Sequence, residues 1–581
     1  MNTARRSTHT IKPSLLLSLV ALTTSGVFAA CRGDTTDGAI QTQNNGAGSS
    51  GSTAVDAAAP SANAEQDAAV VAETQPTDEP AQARVVEPLP DAPARTTPDA
   101  EFRRRAPPPG RPSRFVAPRV QRFALANGLK VYLVEQQQFP IVVAQFVTRL
   151  GGDDVPPEQA GIAHMTASLL EQGTTTLGAE QLSDAYAAIG AQHGASMDWD
   201  SGGAYVKVLA PQFNRALQLL ADVVQRPAFT TEEIERWRAR RLAELRSERD
   251  NPRAVGGVVT ARAVFGDAHP YGRPLTGLEG SIRTLTRDHV LQFYRSHFVP
   301  GESALVVAGA ITAAQLRAAA EREFGGWRQE APATPIATPR AAVPAAPSGP
   351  PKVWIVDRPR APQSMVILAM PGAARSDPDF ERIQVGNAIL GEIFSSRINM
   401  NLRERNAFTY GARARFAFRR GAGPFSAGGA MHTRNTAQSV TEIINEVRRM
   451  RESDVTADEL STARTSIVEG FRAQFATAEG TADAISDLFV YNLPDNYVGQ
   501  YPSAIERVTA RDVRRVMTAR LDPARLNVIV VGDRAAVTPG IDELRRGPIE
   551  LRDPEGAPVN ATSAASTTSA PTNASADAGA R

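Results

Sequence analysis

The chain has 581 residues, which is enough for two to four ordinary domains. Hydrophobic residues make up 42% of the sequence and charged residues 22%, a balance typical of a soluble globular protein. The 63 basic and 62 acidic side chains give a formal net charge of +1, so composition does not indicate a nucleic-acid partner. Cys31 is the only cysteine, which excludes an intrachain disulfide and a cysteine metal cluster.

The first segment, residues 1–31, has the pattern of a lipoprotein signal peptide. Basic residues precede an apolar run over residues 15–30, which polar residues interrupt and which is too short for a comfortable membrane span. The run ends V-F-A-A before Cys31, which is similar to a bacterial lipobox with Phe at the usual Leu position. We therefore expect acyl chains on Cys31 to anchor the protein to a membrane. The alternative is an ordinary signal peptide with an incidental cysteine.

The predicted location is the cell envelope. Arg32 follows the cysteine where an aspartate would indicate inner-membrane retention. We therefore expect a lipid-anchored protein on the periplasmic side of the outer membrane of a Gram-negative bacterium.

Composition divides the rest of the chain into two globular segments and three others. Residues 32–113 are rich in Ala, Pro and small polar residues and lack hydrophobic periodicity, which predicts a disordered tether. A Pro/Ala linker is predicted at residues 331–351 and a disordered tail at residues 551–581. The predicted domains are therefore residues 114–330 and 352–550.

The two predicted domains repeat each other. L-K-V-Y-L-V-E at residues 129–135 matches P-K-V-W-I-V-D at residues 351–357, an offset of 222. Residues 286–290 match residues 509–513, an offset of 223. One offset that holds along the segment, with a single insertion, predicts tandem homologous domains.

Strands and helices alternate inside the first domain. Strands are predicted at residues 130–135, 142–150 and 205–210, and helices at residues 161–171, 214–225 and 231–249. Asn127 and Gly128 predict a tight hairpin before the first strand, and a T-T-E-E sequence from Thr230 predicts a helix cap. Without a parallel βαβ rhythm, the predicted fold class is α+β, with helices packed on mainly antiparallel sheets.

The segment G-I-A-H-M-T-A-S-L-L-E-Q-G-T at residues 161–174 resembles the signature helix of the pitrilysin/insulinase peptidase family, which includes the mitochondrial processing peptidase. The resemblance implies two tandem domains of the processing-peptidase-like metallohydrolase fold. Active members have an inverted zinc motif, H-x-x-E-H, at this place. His164 stands at the first ligand position, but Ala167 replaces the catalytic glutamate and Ser168 replaces the second histidine.

The same resemblance assigns the third zinc-ligand position to Glu244, ahead of an Asp-x-Pro turn. Catalytic zinc needs three protein ligands and an activated water, so His164 and Glu244 alone do not suffice. We therefore expect no cofactor. A rebuilt zinc site with Glu171, at i+7 from His164, is the alternative.

The second domain retains a further family motif. S-R-I-N-M-N-L-R-E-R-N-A-F-T-Y at residues 396–410 resembles the family segment whose Arg/Tyr pair hydrogen-bonds the substrate across the cleft. Arg403 and Tyr410 stand at those positions. A guanidinium and a phenol can donate to a peptide carbonyl or an oxyanion. The alternative is a pair that stabilises domain packing.

Two glycine-containing segments also carry expectations. Residues 190–200 match the family region that adds a substrate strand to a sheet edge, with Gly194 and Ala195 in place of the family's Asn-Ala. Residues 421–429 lack the Lys-Ser/Thr of a phosphate loop, which favours a turn and an edge strand.

The expected function is that of a non-catalytic subunit in a heterodimeric envelope zinc peptidase. Its partner would be a homologue with an intact zinc motif, and its substrate a peptide or unfolded protein. We do not expect the lone chain to be an enzyme, because Ala167 cannot transfer a proton. The alternatives are a stand-alone peptide- or protein-binding module and a weakly active metalloendopeptidase with a rebuilt zinc site.

Overall fold

Each half of the chain contains a six-stranded β-sheet. The computed structural model describes residues 115–328 and 343–559, so the predicted lipidation of Cys31 and the whole predicted tether lie outside the described residues. Most of the linker and tail also lie outside them. None of the helices that the structure describes is long and apolar enough to cross a membrane.

The first sheet contains strands β1 to β6. These are Gln121–Ala124, Lys130–Glu135, Ile141–Thr148, Gln192–Met197, Gly202–Leu209 and Ser303–Gly309. Their spatial order is β1-β2-β6-β3-β5-β4, and only the β2–β6 pair is parallel. The hairpin between β1 and β2 has the predicted glycine, Gly128, at φ 91°.

The second sheet contains strands β7 to β12. These are Val353–Asp357, Gln363–Pro371, Arg413–Phe416, Pro424–His432, Asn527–Gly532 and Ile549–Arg552. Their order is β12-β7-β11-β8-β10-β9, in which β7 runs parallel to β11 and β12 and the other pairs are antiparallel. The last strand extends across residue 550, where the sequence predicted the end of the second domain.

Helices cover both sheets. In the first half α1 to α8 are Ile162–Leu170, Ala179–Ala187, Phe213–Gln225, Thr231–Glu248, Pro252–Phe265, Glu279–Thr284, Arg287–His297 and Ala313–Phe324. In the second half α9 to α16 are Phe380–Asn387, Arg397–Asn399, Thr436–Glu452, Ala457–Gln474, Ala478–Val490, Tyr497–Glu506, Ala510–Arg520 and Arg534–Glu543. The predicted α+β class with mainly antiparallel sheets is confirmed. The predicted helices and strands agree with the observed ones to within three residues at each end.

The two sheets match strand by strand. Phe146 of β3 lies opposite Leu305 of β6, and Leu368 of β8 lies opposite Val528 of β11, offsets of 222 and 223 residues. Only the outermost strand differs. In sequence, β1 comes before the other strands of the first sheet, whereas β12 comes after the other strands of the second sheet. The predicted tandem repeat is therefore present in the topology.

One expectation for the second sheet is wrong. The glycine-rich segment forms β10, which is an interior strand because it pairs with β8 on one side and with β9 on the other. Gly428 has a φ of 154°, and a Cβ there would lie 1.9 Å from the carbonyl oxygen of Val366. The small residues permit this close approach of two backbones, so they indicate tight strand packing here and not an edge.

The two halves exchange helices across their interface. Helix α5 of the first half packs on β8 and β11 of the second sheet, while α13 of the second half packs on β3 and β6 of the first. Gln145 of β3 donates to Asp483 at 2.8 Å and accepts from Ser486 at 2.8 Å, both on α13. A single hydrophobic core includes Met365 and Ile529 together with first-half residues. The two halves therefore stabilise each other.

Candidate functional site

The first candidate site is the half-buried side of helix α1 that contains His164 and Ser168. Gly161 begins the helix at φ 99°, where a Cβ would lie 2.9 Å from the Cα of Gly277. Ala167 is buried and has no polar side-chain atom. The Ser168 hydroxyl donates to the carbonyl oxygen of His164 at 2.9 Å, a bond within the helix's own backbone turn. Neither replacement residue can therefore do the work of the group that it replaces.

His164 lies partly buried between α1 and α4. Its ring centroid is 5.9 Å from that of Trp237, and its Nδ1 is buried without a hydrogen-bond partner. Burial, together with the positive charge of Arg241, lowers the pKa of His164 to about 4. The imidazole is therefore neutral at pH 7.

Glu244 occupies the same region of α4 but is already paired. Arg241 donates to its carboxylate at 3.1 Å, and the more distant Arg240 lies 3.8 Å away. The side chain of Arg241 is buried, with the residue 3% exposed, whereas about half of the Glu244 side chain is exposed. The sequence did not identify Arg241 or Trp237 as part of this site.

The fourth residue considered for a zinc site, Glu171, is directed elsewhere. Helix α1 ends at Leu170, so Glu171 does not continue the face of His164. Its carboxylate lies 2.5 Å from Nδ1 of His193 on β4, and the His193 ring stacks on Tyr186 at 4.0 Å. This contact joins the end of α1 to the edge strand of the sheet.

The donor set of this region does not fit a zinc ion. Within residues 115–328 and 343–559, no group of three or more His, Cys, Asp and Glu side chains is arranged to hold a metal. Zinc needs three protein ligands in a tetrahedral arrangement. Of the predicted positions, His164 retains a free ring nitrogen, Ser168 is turned into the helix and Glu244 is bound by a guanidinium.

The second candidate site contains Arg403 and Tyr410, which are both exposed. Arg403 lies on a π-helical turn, Met400–Arg405, with its guanidinium 4.9 Å from the ring centroid of Phe394. Tyr410 is 82% exposed, and the His432 ring, 6.4 Å away, contacts it edge-on. No hydrogen bond or ring contact joins Arg403 to Tyr410 in the part of the chain that the structure describes. Their exposure favours a role toward solvent over a role in packing.

The region predicted to accept a substrate strand forms β4, at the edge of the first sheet. In the described part of the molecule β4 pairs with β5 alone. Gly194 packs against Tyr205, since a Cβ there would lie 2.7 Å from the tyrosine ring. Tyr205 is itself 41% exposed. One side of the sheet thus ends in an unpaired backbone with an aromatic side chain beside it.

A buried polar cluster between the halves was not anticipated from the sequence. Arg420 extends from the second half and donates its backbone N–H to Asp200 at 2.8 Å and its guanidinium to Asp153 at 3.2 Å. Tyr491 donates to Asp200 at 3.1 Å. Burial raises the pKa of Asp200 to about 6, against the opposing effect of Arg420. The residues that make each contact lie 220 or more positions apart in sequence, so no local sequence pattern predicts these contacts.

Two domain models of one peptidase family match the chain. Residues 131–272 match "Insulinase (Peptidase family M16)", and residues 284–467 match "Peptidase M16 inactive domain". The first match contains α1 and most of the first half. The second contains Arg403 and Tyr410.

Curated relatives come from several bacteria. An uncharacterized zinc protease of Rickettsia felis is 29% identical over 205 residues, or 35% of this chain and 50% of the relative. One from Streptomyces coelicolor is 26% identical over 295 residues, or 50% of this chain and 63% of the relative. These alignments span about half to two thirds of the relatives' length.

Solved structures show the same fold at low identity. A peptidase M16 inactive domain from Pseudomonas fluorescens superposes with a TM-score of 0.65 at 21% identity, over 71% of this chain and 98% of that one. A protease from Helicobacter pylori gives a TM-score of 0.64 at 18% identity, over 71% and 99%. With its repeated sheets, signature helix and two matching domain models, the chain belongs to the pitrilysin/insulinase-type peptidase family, M16.

Proposed function

We propose that the protein is the non-catalytic subunit of a heterodimeric zinc peptidase. The observation that carries the proposal is the contrast between the two candidate sites. The α1 site has lost its base at Ala167 and is paired internally, whereas Arg403 and Tyr410 are exposed. Curated relatives are named zinc proteases, and this chain departs from that activity at the residues where the chemistry would occur.

In the proposed complex a homologue with an intact zinc motif supplies the metal, the activated water and the general base. Arg403 and Tyr410 supply hydrogen-bond donors to the peptide substrate. A guanidinium near a substrate carbonyl stabilises the charge that develops on its oxygen, because charge-assisted hydrogen bonds are stronger than neutral ones. The Phe394 ring, stacked on the Arg403 guanidinium, restricts the orientation of that side chain.

We further propose that the complex is held in the cell envelope by lipid on Cys31. The small residues before the cysteine support processing at this position, and residues 32–113 would allow the two peptidase-like domains to lie away from the membrane. Replacement of Cys31 by serine is expected to release the protein from the membrane fraction, with its fold unchanged by circular dichroism.

The functional test uses the chain with a co-expressed homologue that carries H-x-x-E-H. The mixture should cleave an unfolded peptide, and Arg403→Ala in this chain should lower kcat/KM by about 10- to 100-fold. Tyr410→Phe should lower it less. Arg405→Ala is the matched control, because Arg405 lies on the same turn and is exposed but is not a predicted substrate contact.

The purified chain alone should not cleave the peptide with added zinc. Chelator-sensitive cleavage by the lone chain, abolished by His164→Ala, would contradict the proposal. It would support a degenerate enzyme instead.

A stand-alone peptide-binding module is the second candidate, and the unpaired edge of β4 favours it. An extended peptide could add to this edge through main-chain hydrogen bonds. Peptide binding by the lone chain that is unaffected by Arg403→Ala, together with no gain of cleavage on adding a zinc-motif homologue, would favour this candidate.

A further inference from the structure

One face of helix α4 has a regular pattern of large and charged side chains. Trp237, Arg241, Glu244 and Glu248 follow each other at intervals of four, three and four residues, which places them along one helical stripe. Trp237 is 2% exposed and packs on the His164 ring, and Arg241 is 3% exposed. The stripe therefore faces α1 and the vestigial ligand positions.

Arg241 has a hydrogen-bond partner for every side-chain nitrogen. Its Nε donates to the carbonyl oxygen of Thr276 at 3.2 Å. Its two terminal nitrogens bind the two oxygens of Glu248 at 2.7 and 3.0 Å in a fork, and one of them also binds Glu244 at 3.1 Å. Such a bidentate arrangement is specific to a guanidinium and fixes its position.

We infer that Arg241 is a built-in cation that takes over the charge-balancing role of a metal ion at the α1–α4 cleft and excludes zinc from it. The permanently charged guanidinium neutralises Glu244, which stands at the third ligand position. A divalent ion at His164 would have to remove Glu244 from this ion pair. It would also have to sit beside a fixed positive charge in a partly buried site.

Arg241 is therefore a second barrier to zinc binding, in addition to the residues exchanged in the signature helix. Returning a histidine at position 168 supplies the third ligand by residue type but leaves Glu244 bound. The site has thus become a structural ion-pair cluster on α4 that also binds the chain at Thr276. The exclusion of zinc by Arg241 is a property of the lone chain and does not depend on a partner subunit.

The test measures zinc affinity and not activity. Ser168→His is compared with the double variant Ser168→His/Arg241→Leu, in the full-length chain, by competition with a fluorescent zinc chelator. Ala167 is kept, so neither protein gains a general base. We expect the double variant to bind one zinc ion on the order of 100-fold more tightly than the single variant, since a nearby unit charge of the same sign is removed.

Arg240→Leu in the Ser168→His background is the matched control. Arg240 lies on the same helix and 3.8 Å from Glu244, but about half of its side chain is exposed. It should change the zinc affinity by no more than about 5-fold, because exposed ion pairs are weak. If the leucine variant does not fold, Arg241→Gln replaces it, since glutamine removes the charge and keeps hydrogen-bonding capacity.

Two results would overturn the inference. One is a Ser168→His variant that binds zinc as tightly as the double variant. The other is a folded double variant that binds no more tightly than the wild-type chain. Either outcome would leave the proposed role of Arg403 and Tyr410 untouched, because that role is measured in the two-subunit assay.

Discussion

The two halves of the molecule share a fold, but their candidate sites differ in how far the side chains are exposed and paired. In the first half the signature helix remains, but Ala167 is buried, Ser168 is bonded within the helix, and Glu244 on α4 is bound to Arg241. In the second half Arg403, on a π-helical turn, and Tyr410, which follows that turn in sequence, are both exposed. This difference indicates that packing maintains the sheets and their helices, whereas the replacement of a few side chains on that scaffold changes the site.

The exchanged helices make each half depend structurally on the other. Helix α5 covers the second sheet, and Gly256 on it allows close contact, since a Cβ there would lie 2.8 Å from Ile367. Loss of the first half would expose the apolar face of the sheet to which the Arg403 turn is attached. The second half therefore needs the first as a structural partner.

The largest expected effect comes from truncating equivalent buried side chains in the two sheets. Phe146 stacks against Phe298 and contacts Trp327, with ring centroids 5.9 and 5.6 Å away, and Leu368 is its counterpart in the second sheet. Phe146→Ala should lower the free energy of unfolding by about 3–5 kcal/mol, and Leu368→Ala by about 2–5 kcal/mol. Denaturant unfolding followed by circular dichroism measures both.

Both variants should unfold in one transition, because one core spans the halves. Two separate transitions, with only one of them shifted in each variant, would contradict this prediction of a single transition. They would show that the halves are independent domains.

Two glycines provide the next test, because they have the same backbone conformation in the equivalent strands β5 and β10, two residues apart in register. Gly203 and Gly428 both have φ 154°, and a Cβ would lie 1.8 Å from the Phe146 carbonyl oxygen in one and 1.9 Å from that of Val366 in the other. Alanine at either should cost about 3 kcal/mol through backbone strain and overpacking.

Gly257→Ala is the control, since that helix position is open and alanine should stabilise it by up to about 1 kcal/mol. Thermal or urea unfolding compares the three variants. Similar losses at the two strand positions would show that both sheets need glycine at a close backbone approach, and a loss at only one of them would contradict this prediction.

The Asp200–Arg420 cluster at the junction predicts a pH dependence. The folded pKa of about 6 exceeds the unfolded value of 3.8, so the folded state binds more protons between these values. This group's contribution to stability is therefore full below pH 4 and is lost as pH rises through 6, by at most about 3 kcal/mol.

Asp200→Asn removes this dependence. The difference in unfolding free energy between wild type and variant should change with pH between 4 and 6.5 and be flat above 7. A difference that is constant from pH 4 to 7 would contradict the shifted pKa. Urea unfolding at a series of pH values at constant ionic strength measures it.

The sequence predicted the repeat, the helix at His164 and three strands of the first sheet, because these depend on local periodicity and on one constant offset. It could not predict the role of Arg241. Helix α4 has many arginines, and which of them is buried depends on the distant Thr276 carbonyl and on α1. The Asp200–Arg420 contact joins positions 220 residues apart for the same reason. Local pattern determines the elements, while long-range packing determines which charges meet.

The smallest expected effect on stability is that of Arg403→Ala, and it distinguishes Arg403 from Arg241. Arg403→Ala should change the free energy of unfolding by no more than about 0.5 kcal/mol, because the side chain is 42% exposed and its ion pair with Glu404 is a surface pair. Arg241→Ala should cost about 2 kcal/mol or more, because it removes a buried guanidinium and both of its hydrogen bonds to the Glu248 carboxylate. Chemical denaturation of both variants in the same buffer provides the measurement. A loss above about 1.5 kcal/mol in Arg403→Ala would mean that this residue packs the second half, so that any effect of the variant on cleavage would report on folding and not on substrate contact.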